Sequence, residues 1–359
     1  MSERHQPVDM AETGPAAVRA AFANQVAYCR ANDAPVTARI VAAIAALLDR
    51  PATGFARRMA AWAGPPIADA LPLRAAGGFH ALHLGGDADD LAPIYADADG
   101  INDATIVAAV ARRHEAALLP WLDGPPQTNE AGRSAGFVAA MLWLAEQGLP
   151  PHFQCLEIGS SAGINLMLDR YHYDLGGVQV GPQPGAIAFT PEWRGVHPPQ
   201  HRIDFAGLKG CDVAPVDLTD PEQALRLKAY IWPEHRIRFA RIEAAIAAAE
   251  RARPDLIRMT AADFVDAELA QPQAEGTTRV LMHSIVWQYV PADQQARITA
   301  AMDAAGARAT RDRPLAWIAL EANRTLLRHE LAVRHWPGDG APQMLGSAHA
   351  HGAWIEWAG

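Results

Sequence analysis

The run FQCLEI, residues 153–158, stops at Gly159, and apolar residues then recur at Ile164, Met167, Leu168 and Tyr171. A short, mainly apolar run bounded by glycine suits a strand buried on both faces of a parallel sheet. The i, i+3, i+4, i+7 spacing that follows suits one face of a helix. Strand, glycine turn and helix in succession form the opening unit of a doubly wound α/β sheet. In such a sheet the ligand sits beyond the carboxyl ends of the strands, where the strand order reverses.

The segments on either side extend this reading. Leu256–Met259, Val280–His283 and Leu315–Leu320 are further strand candidates, with helices ending before Pro254 and over 292–305. Residues 344–359 read as a final hairpin, and VQV and AIAF within about 172–205 as an inserted one. Before residue 152 no strand series is visible. Val18, Phe22, Val26 and Cys29 are spaced as on a helix, as are Ile40, Ile44, Leu47 and Leu48. A third helix starts at Asn102 or Asp103 and runs to Leu118. A fourth starts near Thr128 and stops at Gly148. FHALHLGGDADDLAPIY and LDGPPQTNE read as loops. The expected organisation is a frayed tail over 1–14, a helical cap over 15–150, and a mainly parallel α/β domain over 151–359.

Composition narrows the function classes. Half of the residues are hydrophobic, a fifth are charged, and the net charge is -9. Only Lys209 and Lys228 are lysines, and no dense basic run provides a nucleic-acid footprint. No apolar run reaches the roughly 18 residues that would cross a membrane. Cys29, Cys155 and Cys211 are widely spaced without a C-x-x-C pair, so neither a disulfide framework nor a cysteine metal site is expected, and a cytoplasmic location is. His349-x-His351 shows no third ligand, so no metal is expected.

The turn after the first strand carries two overlapping patterns. Gly159, Ser161 and Gly163 spell G-x-S-x-G, the serine-hydrolase elbow, in which Ser161 would be the nucleophile. That fold places several strands before the elbow, and here the preceding 150 residues look helical. Glu157, Gly159 and Gly163 spell E-x-G-x-x-x-G, which resembles the cofactor loop of S-adenosylmethionine (SAM) methyltransferases. Ser161 stands where the dinucleotide fingerprint G-x-G-x-x-G has its second glycine. On the methyltransferase reading Glu157, Gly159, Ser160, Ser161 and Gly163 hold the methionine and ribose part. Asp212, closing the second strand, accepts ribose hydroxyls, and Asp263 with Phe264 takes the adenine. His283, at the end of the fourth strand, is the candidate base, and Trp287 and Tyr289 face the acceptor. Gln127, Asn129, Glu130 and Arg133, clustered just before the α/β domain, are candidates for substrate binding, although capping accounts for Thr128 and Glu130. Trp232 reads as packing, and Glu234 is left open.

The stretches QTNEAGRS, LEIGSSAGINLMLDRYHYD, GCDVAPVDLTDPEQ, AYIWPEHR and HSIVWQYV closely resemble an uncharacterised bacterial family, domain of unknown function 2332. The resemblance covers nearly the whole chain after the tail. It implies a SAM-methyltransferase-type Rossmann core and supplies no established reaction. The expected function is methyl transfer from SAM to a small-molecule acceptor. The alternatives are a non-catalytic binding protein on the same fold and the serine hydrolase.

Overall fold

The computed structural model describes residues 11–323, 325–326 and 328–359. Most of the expected tail lies outside the described residues. The chain divides into two compact units, one of residues 1–128 with 221–239, the other of residues 129–220 with 240–359.

The first unit is helical. It contains α1 (Pro15–Ala31), α2 (Pro35–Ala45), α3 (Gly54–Ala60), α4 (Leu71–Leu84), α5 (Ala92–Tyr95), α6 (Asp103–Arg113) and α7 (Glu115–Leu118). Val18, Phe22 and Cys29 are buried on α1, and Ile40 and Ile44 on α2, as their spacing predicts. The Asn102 side chain accepts from Thr105 N at 3.0 Å, which makes Asn102 the cap of α6. The third helix breaks at His114 rather than running on to Leu118. FHALHL, read as loop, is the last part of α4. Pro72, Gly77 and Gly78 lower the helical propensity there, and packing explains the two glycines. A Cβ on Gly77 would stand 2.7 Å from Tyr230 Cε1, and one on Gly78 3.0 Å from Leu118 Cδ2. Glu234 accepts from Thr37 N at 2.9 Å and Thr37 Oγ1 at 2.7 Å, satisfying a free N–H in the first turn of α2. Trp232 packs its ring against Tyr28 and His235.

The second unit is built on a large mixed, mostly parallel sheet. Its strands are β1 (His152–Ile158), β5 (Glu192–Gly195), β6 (Asp204–Asp212), β7 (Asp255–Arg258), β8 (Thr278–Ser284), β9 (Leu315–Asn323), β10 (Arg328–Trp336), β11 (Gln343–Ala348) and β12 (Trp354–Trp357). The order is β5-β12-β11-β10-β9-β8-β1-β6-β7. From β7 to β9 neighbours are parallel, whereas β9, β10, β11 and β12 alternate. The inserted segment forms β2 (His172–Leu175), β3 (Val178–Val180) and β4 (Ala188–Phe189) in a separate sheet. VQV is β3, paired antiparallel with β2, while AIAF contributes β4, which lies parallel to β2. The hairpin is therefore β2–β3 rather than VQV with AIAF. α8 (Ser134–Glu146), expected to begin near Thr128, groups with the sheet unit, because its facing residues meet β9 and β10. A Cβ on Gly136 of α8 would lie in ordinary contact with Leu320 and Leu331.

Four further helices follow in the second half of the chain. α9 (Pro221–Ala229) belongs to the helical unit, and the division falls within α10 (Arg236–Arg251). α11 (Ala261–Leu269) and α12 (Ala292–Gly306) bury Phe264, Val265, Ile298 and Met302 in one cluster with Leu156, Leu281 and Trp317 of the sheet. No described helix is long and apolar enough to cross a membrane.

Candidate functional site at the carboxyl edge of the sheet

The chain leaves β1 for β6 and β7 on one side and later returns to β8 and β9 on the other, so strand order reverses at β1. Glu157 stands there, one residue before the strand end. In the turn that follows, Gly159, Ser161 and Gly163 all have positive φ, at 65°, 53° and 69°. A serine in this region is strained, so its surroundings must hold it. They do so through the end of β6. Asp212 Oδ2 accepts from Ser161 N and its Oδ1 from Ala214 N, both at 2.8 Å, and Val216 N donates to Ser161 O at 3.0 Å. Asp212 thus orders the turn with both carboxylate oxygens. The segment after the turn is not the α-helix the spacing predicts. It is a kinked 3-10 segment, Ile164–Arg170, in which Met167 leaves helical geometry.

Glu157 is 1 % exposed. Its Oε1 accepts from Asn165 Nδ2 at 3.1 Å, while Oε2 has no hydrogen-bond partner among the described residues. Burial pushes its pKa up to about 7, against the opposing pull of Asn165, Ser160 and Arg133. Asn165 Oδ1 and Ser161 Oγ are buried and likewise without partners among the described residues. A histidine–serine hydrogen bond, which an elbow nucleophile needs, is therefore absent at Ser161 among them.

The segment QTNEAGRS reaches this region in part. Asn129 Oδ1 accepts from Ile164 N at 3.0 Å, directly after Gly163. Glu130, rather than Thr128, caps the 3-10 turn of residues 131–133 and lies 3.8 Å from Arg241. Arg133 is buried, donates from Nε to Ala350 O at 2.9 Å, and is close enough to Glu157 to lower its pKa. Gln127 falls in the helical unit.

Three expectations need correction. Asp263 and Phe264 are not free at a strand end. β7 stops at Arg258, Thr260 caps α11, and both residues lie in its first turn. Phe264 faces the sheet and is fully buried, so neither ring face can stack on a ligand. The Asp263 carboxylate is taken by Thr260 Oγ1 and Arg297, each at 2.8 Å. His283 lacks the free lone pair of a base. Trp317 Nε1 donates to His283 Nε2 at 2.9 Å, and His283 Nδ1 donates to Glu321 Oε1 at 2.6 Å. Trp287 stacks on this imidazole with ring centroids 5.1 Å apart, while Tyr289 is exposed.

Two residues at the same edge escaped the sequence reading. Glu321 follows the apolar run of β9 much as Glu157 closes that of β1, and that parallel was a visible signal. His329 opens β10, opposite Ala322 of β9 and Ala348 of β11. Neither of its ring nitrogens is hydrogen-bonded among the described residues. Burial, with Arg133 and His349 nearby, holds its pKa below the ordinary histidine range, while Glu321 opposes the shift. No sequence signal marks His329, because β10 itself was not foreseen.

Within the helical unit, a cavity of about 40 Å³ is lined by His80, Tyr95, Tyr230 and Trp232 among others. That is room for a few waters at most and far below the several hundred Å³ of a typical ligand pocket. Burial lowers the pKa of His80 to about 4. Among the described residues no three His, Cys, Asp or Glu side chains are grouped to hold a metal ion.

No curated protein and no solved structure matches the chain. Residues 19–357 match the family described as an uncharacterized protein conserved in bacteria (DUF2332), and the chain belongs to that family.

Proposed function

We propose that this protein is a SAM-dependent methyltransferase for a small-molecule acceptor, with the cofactor's amino-acid end at Glu157. The observation that carries the reading is the set of buried acceptor atoms without partners at the strand-order reversal, Glu157 Oε2 and Asn165 Oδ1. Buried polar atoms are nearly always satisfied, so two orphans and a strained, stitched turn favour a ligand that brings N–H donors. An α-ammonium group supplies such donors. The parallel strands, ordered 3-2-1-4-5 by entry, add the topology in which ligands bind at that point. The two acceptors fit the α-ammonium group of SAM. The adenine end has no assigned residue, since Phe264 and Asp263 are committed elsewhere.

Bound SAM supplies an electrophilic methyl group. Attack is in-line, so positioning does most of the catalytic work. A protonated acceptor also needs a base, and His329, with uncommitted ring nitrogens, takes that role in place of His283.

Titration calorimetry with SAM and S-adenosylhomocysteine tests the reading. Affinity should strengthen as pH rises from 6 to 8, because Glu157 loses its proton near pH 7. Glu157→Gln should weaken binding at pH 8 about tenfold or more, the loss of roughly one charge-assisted hydrogen bond. Folded protein that binds neither ligand at millimolar concentration would rule the proposal out. Binding without transfer to any acceptor would leave a binding protein on this fold, and labelling of Ser161 by a fluorophosphonate would favour the hydrolase.

A further inference from the structure

Glu321 is held in a way that exceeds the needs of a surface carboxylate. Three donors converge on its Oε1: His283 Nδ1 at 2.6 Å, Val286 N at 3.1 Å and Trp287 N at 3.2 Å. His283 is itself fixed by the indole N–H of Trp317 and by stacking under Trp287. The carboxylate is thereby locked in one orientation before anything binds, the condition for a preorganised electrostatic site. All of its hydrogen bonds among the described residues go to Oε1, none to Oε2, and the side chain remains 21 % exposed. The adjoining turn places Trp287 beside the imidazole, with ring centroids 5.1 Å apart.

The chemistry of this edge is one-sided. Glu157 Oε2 and Asn165 Oδ1 are buried acceptors without partners among the described residues, and Glu321 is a partly exposed carboxylate. The backbone N–H groups of Ser161, Ala214, Val286 and Trp287 are all engaged by Asp212 or Glu321. Of the nearby cations, Arg241 lies against Glu130, and Arg133 is buried and bonded through Nε to Ala350 O. At Glu321 itself a purely anionic ligand would meet like charge, since its three donors are already engaged within the protein. A cation would gain an oriented carboxylate.

We infer that Glu321 Oε2, beside Trp287, forms the binding position for a small protonated amine, which makes an amine the acceptor class once His329 has taken a proton from it and freed its lone pair. The inference rests on the methyltransferase reading for the fate of the amine, though not for its binding.

The probes are benzylamine, benzyl alcohol and benzoate, which share a ring and differ in charge. Their dissociation constants are read by ligand-observed NMR on the full chain at pH 7. Benzylamine should bind at least tenfold tighter than benzyl alcohol, and benzoate more weakly than either. Glu321→Gln keeps a carbonyl oxygen for the three donors while removing the charge. It should bring benzylamine down to the level of the alcohol, with circular dichroism unchanged. Equal binding of amine and alcohol in the wild type, or an amine preference that survives Glu321→Gln, overturns the inference. SAM is titrated into the same samples. Amine preference without SAM binding removes the cofactor reading alone, and SAM binding without amine preference removes this inference alone.

Discussion

His283 shows how a residue can stand at the expected place and serve a different purpose. As a polar group closing a buried strand it has the profile of a catalytic base. Its partners come from β9, 34 and 38 residues further along the chain, and nothing local in the sequence announces them. Together they make His283 a positioning residue that aims Glu321. His283→Ala would strand the buried indole N–H of Trp317, take one donor from Glu321 and leave a void. We expect a loss of about 3 kcal/mol in urea unfolding, the combined scale of an unsatisfied donor and a small cavity. SAM affinity should change less than twofold. A loss of stability under about 1 kcal/mol would show that the network does not hold the imidazole. Glu157 is the contrasting case: an acid among the apolar residues Cys155, Leu156 and Ile158, two residues before a glycine, conflicts with its surroundings in a way a single sequence reveals.

At the scale of elements, what was legible followed from periodicity, and what was missed followed from tertiary packing. The parallel strands appear as mainly apolar runs because helices and loops cover them, so β1, β7, β8 and β9 were readable. β10 was not, since RHELAVRHW mixes charged and apolar residues along a strand with intermediate exposure at many positions. α4 was concealed by glycines required by the rings packed on it, and the helix expected after Gly163 gave way to a kinked 3-10 segment. Gly163 itself combines a φ of 69° with an approach to Pro254, whose Cγ would stand 2.9 Å from an added Cβ. Gly163→Ala should therefore cost about 2 kcal/mol, from left-handed strain and displacement of a rigid ring. Gly207 in β6 has open space where a Cβ would go. Gly207→Ala should be neutral or gain up to about 0.5 kcal/mol through the unfolded chain. Chemical denaturation of both variants checks the pair, and equal effects would contradict this account of the turn.

Over the whole molecule, each of the two units carries a buried titratable group, and the two shift in opposite senses with respect to stability. His80 in the helical unit is 5 % exposed and has its pKa lowered to about 4 from 6.5, chiefly by burial. Between these values the unfolded chain binds more protons, so the helical unit gains stability as pH rises from 4 to 6.5 and loses it on acidification. Glu157 in the sheet unit has its pKa raised to about 7 from 4.5, again chiefly by burial. There the folded chain holds the extra proton, so the sheet unit loses stability as pH rises from 4.5 to 7. Each shift corresponds to a change on the order of 3 kcal/mol across its window. In scanning calorimetry, His80→Gln should raise the stability at pH 5 relative to wild type and flatten the acid side. Glu157→Gln should raise it at pH 8 and flatten the neutral side. At pH 8 a cationic ligand at Glu157 would meet an ionised carboxylate and restore what ionisation removes, so SAM should raise the transition temperature more at pH 8 than at pH 5.5. A thermal shift by SAM that grows on acidification would place the cofactor away from Glu157.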